Sequence, residues 1–256
     1  MSRARALVVF VVCIAGSTSS TASAQDLFEL EVFPYDTTPP GDYDIGFHTN
    51  AMSAGSISSA SPLSNHHPVH LSVEVARGWT DIFETAVFIQ TAPFASSGAT
   101  RIAGGHLRGK AKLGALTGRL RVGVSGEYTF NRAAFDHELQ TFELRPIVDY
   151  RHGRLSLIAN PSVEWITRGL DDEVEPIFDF SARTAWQLRP RVALAAEYYS
   201  AAATTLHLQP EIDAHRLVFA GIDIDAGAGW ELSISAGHCV TSSEPWLMKS
   251  VIGYKF

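Results

Sequence analysis

Cysteine is scarce in this chain of 256 residues: there are two, too few for a disulfide scaffold. Charge is sparse and leans acidic. Lys and Arg number 20 against 27 Asp and Glu, a net charge of −7, and no basic run interrupts the sequence. That excludes nucleic acid as a partner. Long apolar runs are lacking too. The single continuous one, Ala6–Ala15, is too short to cross a bilayer as a helix, so helical membrane proteins are excluded. Catalytic signatures are missing as well. There is no G-x-S-x-G elbow, no H-E-x-x-H and no C-x-x-C. With 46% apolar residues, the chain is still too hydrophobic to be disordered.

The first 24 residues read as an address. Arg3 and Arg5 precede the apolar run, and Ala22-Ser-Ala24 has the form of a cleavage signal, so 1–24 is expected to be a signal peptide cut before Gln25. Val12 before Cys13 does not fit a lipoprotein signal. Removal of Arg3 and Arg5 moves the net charge to −9 and leaves Cys239 as the lone cysteine, so no intramolecular disulfide can form.

What the chain has in abundance is period-two alternation. Val69, Leu71, Val73 and Val75 alternate with His70, Ser72 and Glu74. Leu120, Val122 and Val124 alternate with Arg121, Gly123 and Ser125. Twelve such segments are expected, at about 41–51, 67–78, 80–93, 100–113, 118–130, 139–151, 154–167, 175–187, 190–201, 212–226, 229–240 and 245–256. Each has the length a tilted strand needs to cross a membrane, well beyond the five or six residues of ordinary strands. The tenth is irregular, since Leu217, Val218 and Phe219 break its alternation; a β-bulge there would repair it. Connections alternate between tight (Gly78–Thr80, Gly114–Thr117, His152–Gly153, Leu188–Arg189, Gly227–Ala228) and long (Met52–His66, Asn131–Glu138, Arg168–Val174, Ala202–Glu211).

This pattern predicts an all-β fold: a transmembrane antiparallel up-and-down β-barrel of about 12 strands spanning 41–256. In lipid every backbone polar group must pair internally, and closure removes the edges that could not. An even strand count places both termini in the periplasm and the protein in the outer membrane, in contact with lipid and lipopolysaccharide. Aromatics support the placement. Trp79, Tyr150, Trp186, Trp230 and Tyr254 fall at the periplasmic strand ends, and Tyr128, Trp165, Tyr198 and Trp246 at the extracellular ends. Such rings belong where lipid meets water. Residues 25–40 are broken by Pro34, Pro39 and Pro40, and are expected to be a periplasmic lead-in or a segment tucked into the lumen.

Charges on the face opposite the apolar one must line the lumen, because on the lipid side each costs about 2–4 kcal/mol at the midplane. The candidate pore-lining residues are Arg108, Lys110, Lys112, Arg121, Glu127, Glu143, Arg145, Asp149, Asp179, Arg183 and Glu197. Basic ones concentrate on the fourth and fifth strands and acidic ones on the sixth to eleventh. Two readings follow. Opposed basic and acidic walls would favour passage of small polar or zwitterionic solutes; a paired network would plug the interior and leave a closed structural or surface-interaction barrel without conductance.

No cofactor, metal centre or catalytic residue is expected. His66, His67 and His70 are read as a polar loop rather than a metal site, as are Asp171-Asp172-Glu173 and the pair Asp136 and Glu138. The faint echo of a lipid hydrolase, Ser235 with His238, has the wrong parity for a dyad.

Two resemblances add to this. The ending Val251-Ile-Gly-Tyr-Lys-Phe256 resembles the terminal strand of Gram-negative outer-membrane proteins, whose last aromatic is read by the barrel-assembly machinery; that implies Phe256 as an assembly signal. The elements Glu31-Val-Phe-Pro-Tyr35, Leu144-Arg-Pro-Ile147, Asn160-Pro161 and Leu194-Ala-Ala-Glu-Tyr-Tyr199 resemble a group of small proteobacterial outer-membrane barrels, similar to channels associated with aromatic-degradation pathways. The resemblance implies transport and points to no substrate-binding residue.

Overall fold

The computed structural model describes residues 30–52, 69–93, 99–136, 138–170, 176–202, 216–240 and 246–256. The expected signal peptide, most of the long connections, His66, His67 and the 171–173 acidic cluster lie outside them. Among the described residues every regular element is a strand. They are β1 Tyr43–Met52, β2 Val69–Thr80, β3 Phe83–Pro93, β4 Thr100–Ala115, β5 Leu120–Asn131, β6 Glu138–His152, β7 Leu155–Gly169, β8 Ile177–Arg189, β9 Val192–Ala202, β10 Arg216–Gly227, β11 Trp230–Cys239 and β12 Leu247–Lys255. Each pairs antiparallel with its sequence neighbours, and β1 pairs with β12, so the sheet closes into a barrel.

The alternation explains the wall. On β2, Leu71, Val73 and Val75 face outward and His70, Ser72 and Ala76 face inward and are buried. On β3 and β4, Val87, Ile89 and Leu107 are outward while Glu84, Gln90, His106, Arg108 and Lys110 are buried inside. The usual soluble arrangement is inverted, with aliphatics outside and charges inside. That suits a lipid exterior, where Leu and Val lose nothing by facing acyl chains. The expected interface aromatics face outward near the strand ends. Trp230 and Tyr254 meet at 4.6 Å between ring centroids, Phe142 and Trp165 stack at 5.9 Å, and His238 meets Trp246 edge-on at 5.3 Å.

Closure depends on the chain end. Tyr43 N donates to Phe256 O at 2.8 Å, Phe256 N donates back to Tyr43 O at 3.0 Å, and the two rings stack at 5.7 Å. The β6–β7 ladder is interrupted once. The β6–β7 register is continuous from Phe142↔Trp165 to Leu144↔Val163 and resumes at Val148↔Ala159. In between stand Pro146 and Pro161, neither of which has an N–H to donate.

Two expectations need correction. Not every tight connection falls where expected: β2 runs through Gly78 to Thr80 and turns at Asp81–Ile82, and β8 runs to Arg189 and turns after it, whereas Gly153 and Ala228 lie in their turns. Gly78 serves another purpose. A Cβ there would lie 2.1 Å from Pro39 O, so the glycine admits the lead-in backbone, which bridges to it from Pro40. The expected Gly227–Ala228 connection does turn: Gly227, Ala228 and Gly229 all have positive φ, at 80°, 52° and 85°. The expected bulge at Leu217–Phe219 is absent. β10 pairs unbroken from Arg216↔Ser200 to Ile224↔Val192, and its irregularity toward β11 falls at Asp225/Gly227. Leu217 and Phe219 point into the lumen, where Leu30 and Val32 give them an apolar partner.

Candidate functional site

Residues 30–40 run inside the barrel, from Pro40 at the rim with the tight turns to Leu30 at the level of Lys249. Eleven extended residues reach at most about 36 Å, enough to thread most of a bilayer-spanning lumen. Three prolines keep the segment from joining a sheet, and its backbone groups must find other partners. Side chains of the wall supply them. Asn160 accepts from Phe33 N at 2.7 Å and donates to Phe33 O at 3.2 Å. Thr38 N donates to Glu84 at 2.6 Å, Tyr35 N to Asp149 at 3.4 Å, and Lys249 donates to Leu30 O at 2.9 Å. Hydrophobic contacts complete the seat: Leu30 and Val32 pack with Ile158, Tyr199, Leu217, Phe219 and Leu247.

Eleven charged positions were expected to line the lumen, and all lie on inward-facing registers. Arg108 bonds Glu74 and reaches Glu84 at 3.5 Å, and Lys110 reaches Glu84 at 2.9 Å. Near the turn rim, Arg121 joins Asp149 at 2.9 Å and Asp36 of the lead-in at 3.0 Å. On the far wall Arg183 holds Glu197 at 3.1 Å and also Asp223, and Glu197 accepts from Lys249 and from Tyr199 at 2.7 Å. Arg145 pairs with Glu143 at 2.6 Å. Glu127 lies 3.6 Å from His106. Lys112 donates to Asp81 O at 2.9 Å, at the rim. Asp179 shares the space beside Glu143 and Arg145.

The charges form local pairs. Some join one strand or adjacent strands, which lie about 4.8 Å apart; Arg108–Glu74 and Arg183–Asp223 skip one strand, and Lys249 on β12 reaches Glu197 on β9. Basic side chains are thus paired with carboxylates of the same wall region and of the lead-in, in place of the expected field between separate basic and acidic walls. Phe33 sits between two of them, with Arg108 4.5 Å and Arg145 4.3 Å from its ring centroid. At the rim, burial alone would raise the Asp36 carboxyl, but the Arg151 and Arg121 guanidinium groups outweigh it and hold it below the usual carboxylate range.

Several contributors escaped sequence reasoning. Lys249 and Asp223 lie on inward parities that the flanking aliphatics already marked. Asn160 was visible as part of a motif but had no assigned task. Glu31, His48 and Glu74 converge from separate segments. Of the other positions weighed, His70 is buried and inward, Asp136 caps its own loop by accepting from Glu138 N at 3.0 Å, and Ser235 faces inward while His238 faces outward.

No protein-family model and no curated sequence matches the chain. Solved structures do. It is similar to an outer membrane channel from Pseudomonas putida F1 at TM-score 0.62 and 10% identity, over 88% of this chain and 100% of that one. It is similar to the KdgM porin at TM-score 0.59 and 6% identity, over 83% and 99%. For the NanC porin the values are 0.56 and 8%, over 83% and 98%. The chain thus has the closed antiparallel barrel fold of outer-membrane porins and channels.

Proposed function

We propose that this protein is an outer-membrane channel for passive uptake of small polar solutes, constricted by its own N-terminal segment. One observation carries the reading: the lumen is wide enough to hold an extended polypeptide along its length. A passage that accommodates residues 30–40 accommodates a small solute once that segment shifts. The inward lining, with charges balanced in local pairs, suits neutral and zwitterionic polar molecules better than apolar ones. The lipid-dressed exterior supports the outer membrane as its location, with both termini periplasmic. The exposed ring of Phe256 supports delivery by the barrel-assembly machinery. Conduction needs no catalysis, and Ser235 and His238 on opposite faces do not favour a lipid-hydrolase reading.

Liposome swelling tests this. Proteoliposomes of refolded mature protein, and of the same barrel lacking 25–38, are diluted into isotonic glycine or a small neutral sugar. Swelling that is slow for the intact protein and fast for the truncated one is expected. No swelling from a truncated barrel shown to be folded by its heat-dependent gel shift would overturn the proposal.

A further inference from the structure

Glu31, His48 and Glu74 come from three places: the lead-in, β1 and β2. One ligand atom from each lies within 4.8 Å of the other two. His48 Nε2 is 3.2 Å from Glu74 Oε2, and His48 Nδ1 is 3.9 Å from Glu31 Oε2. His48 is buried and Glu74 nearly so. Glu31 Oε2 is itself buried and accepts no hydrogen bond. The space they share is kept open by a glycine. A Cβ on Gly46 would stand 2.8 Å from His48 Nε2 and 3.4 Å from Glu74 Oε2, so any larger residue would push into the gap. Arg108 grips the other oxygen of Glu74 and fixes that carboxylate with Oε2 turned to the gap.

We infer that these three side chains form a binding site for a divalent transition metal that ties the lead-in to the barrel wall. One imidazole and two carboxylates suit a borderline ion such as zinc, with a water in the fourth position. Tetrahedral ligands at ordinary zinc distances stand about 3.4 Å apart. With His48 ligating through one ring nitrogen, the set needs to close by up to about 1.4 Å to reach that geometry, a change of side-chain torsion rather than of strand register. The carboxylates supply the negative charge, and Arg108 orients one of them without occupying the ligating oxygen. The lead-in contributes one ligand and the wall two, so the metal acts as a cross-link that adds to the hydrogen bonds and apolar contacts of Leu30 and Phe33. The site stands independently of conduction.

Calorimetric titration of refolded mature protein with zinc chloride tests the site, with folding of every variant checked by heat-dependent gel shift. The wild type is expected to take up one equivalent. Calcium, a hard ion that wants more oxygen ligands, is expected not to compete. His48→Ala and Glu31→Ala are each expected to weaken binding more than about 100-fold, beyond the 10–100-fold that losing a merely orienting partner costs. Gly46→Ala fills the gap while keeping all three ligands, and is expected to abolish uptake in a folded barrel. A His66→Ala/His67→Ala double variant, altered in the connection before β2, is expected to bind as the wild type does. The inference is overturned if the wild type binds no zinc, if His48→Ala or Gly46→Ala binds as well as it, or if the double variant alone loses the site.

Discussion

Replacing Asn160 with leucine is the sharpest perturbation of the lead-in's seat. Asn160 is almost fully buried, at 1% exposure, and makes a reciprocal pair of hydrogen bonds with Phe33 N and O. Leucine has a similar volume and no polar atom. The substitution deletes both bonds and leaves a peptide N–H and C=O facing an aliphatic group. A buried polar group stranded in this way costs about 1–3 kcal/mol. Two of them cost about 2–6 kcal/mol, and water entering from the lumen returns part of that. A net loss of about 2–4 kcal/mol multiplies the undocked fraction of the lead-in by about 30 to 700, at about 1.4 kcal/mol per tenfold. The barrel wall should be indifferent, because Asn160 faces the lumen and its backbone pairing with Ser181 is unchanged. Hydrogen exchange followed by mass spectrometry reads both regions at once. Peptides covering 30–38 should exchange far faster in Asn160→Leu, while strand peptides from β2 to β4 keep their protection. Equal protection of the lead-in in both proteins would show that Asn160 does not hold it, and uniform loss across the barrel would show that the residue supports the wall instead.

Three other outcomes are expected. Lys249→Met removes the cation beside buried Glu197 and should destabilise the barrel by about 3–5 kcal/mol in urea unfolding from liposomes; adding Glu197→Gln should recover much of it. Leu107→Arg, on the outward face opposite Val87, should cost about 2–4 kcal/mol and lower the folded yield, whereas Ser125→Ala on the inward face should not. The Asp36 anchor has a depressed folded pKa, so its contribution is present above the ordinary carboxylate value of 3.8 and is lost as pH falls through the lowered one. Exchange of 30–38 should then be flat from pH 7 to 5 after correction for intrinsic rates and rise below about pH 4, and Asp36→Asn should remove that acid step.

Much of this barrel is legible in the sequence, for a physical reason. A strand between lipid and a polar lumen must alternate at every residue, so strand number, inward parity and the outward aromatics follow from local pattern alone. Arg108, Glu143 and Glu197 were found that way. Partner choice is not local. Arg108 meets Glu74 across 34 residues and Lys249 meets Glu197 across 52, and only closed-sheet register decides those distances. The same holds for Glu31, His48 and Glu74. Glycine misled where it marks crowding rather than turning, as at Gly78. β10 misled because Leu217 and Phe219 are apolar yet inward; their partner is a lead-in that the alternation of the strands says nothing about. Prolines in that lead-in show that it is not a strand, and nothing local shows where it docks.

Single-channel recording in a planar bilayer, comparing refolded mature protein with a barrel lacking 25–38, decides whether the lumen conducts and whether the lead-in constricts it. Rare or absent openings are expected for the intact protein and discrete, sustained steps for the truncated one, with ion preference altered by charge reversal at Arg121 or Glu143. A folded truncated barrel that stays silent would contradict a usable lumen, and equal conductance from the two would contradict the lead-in as its constriction.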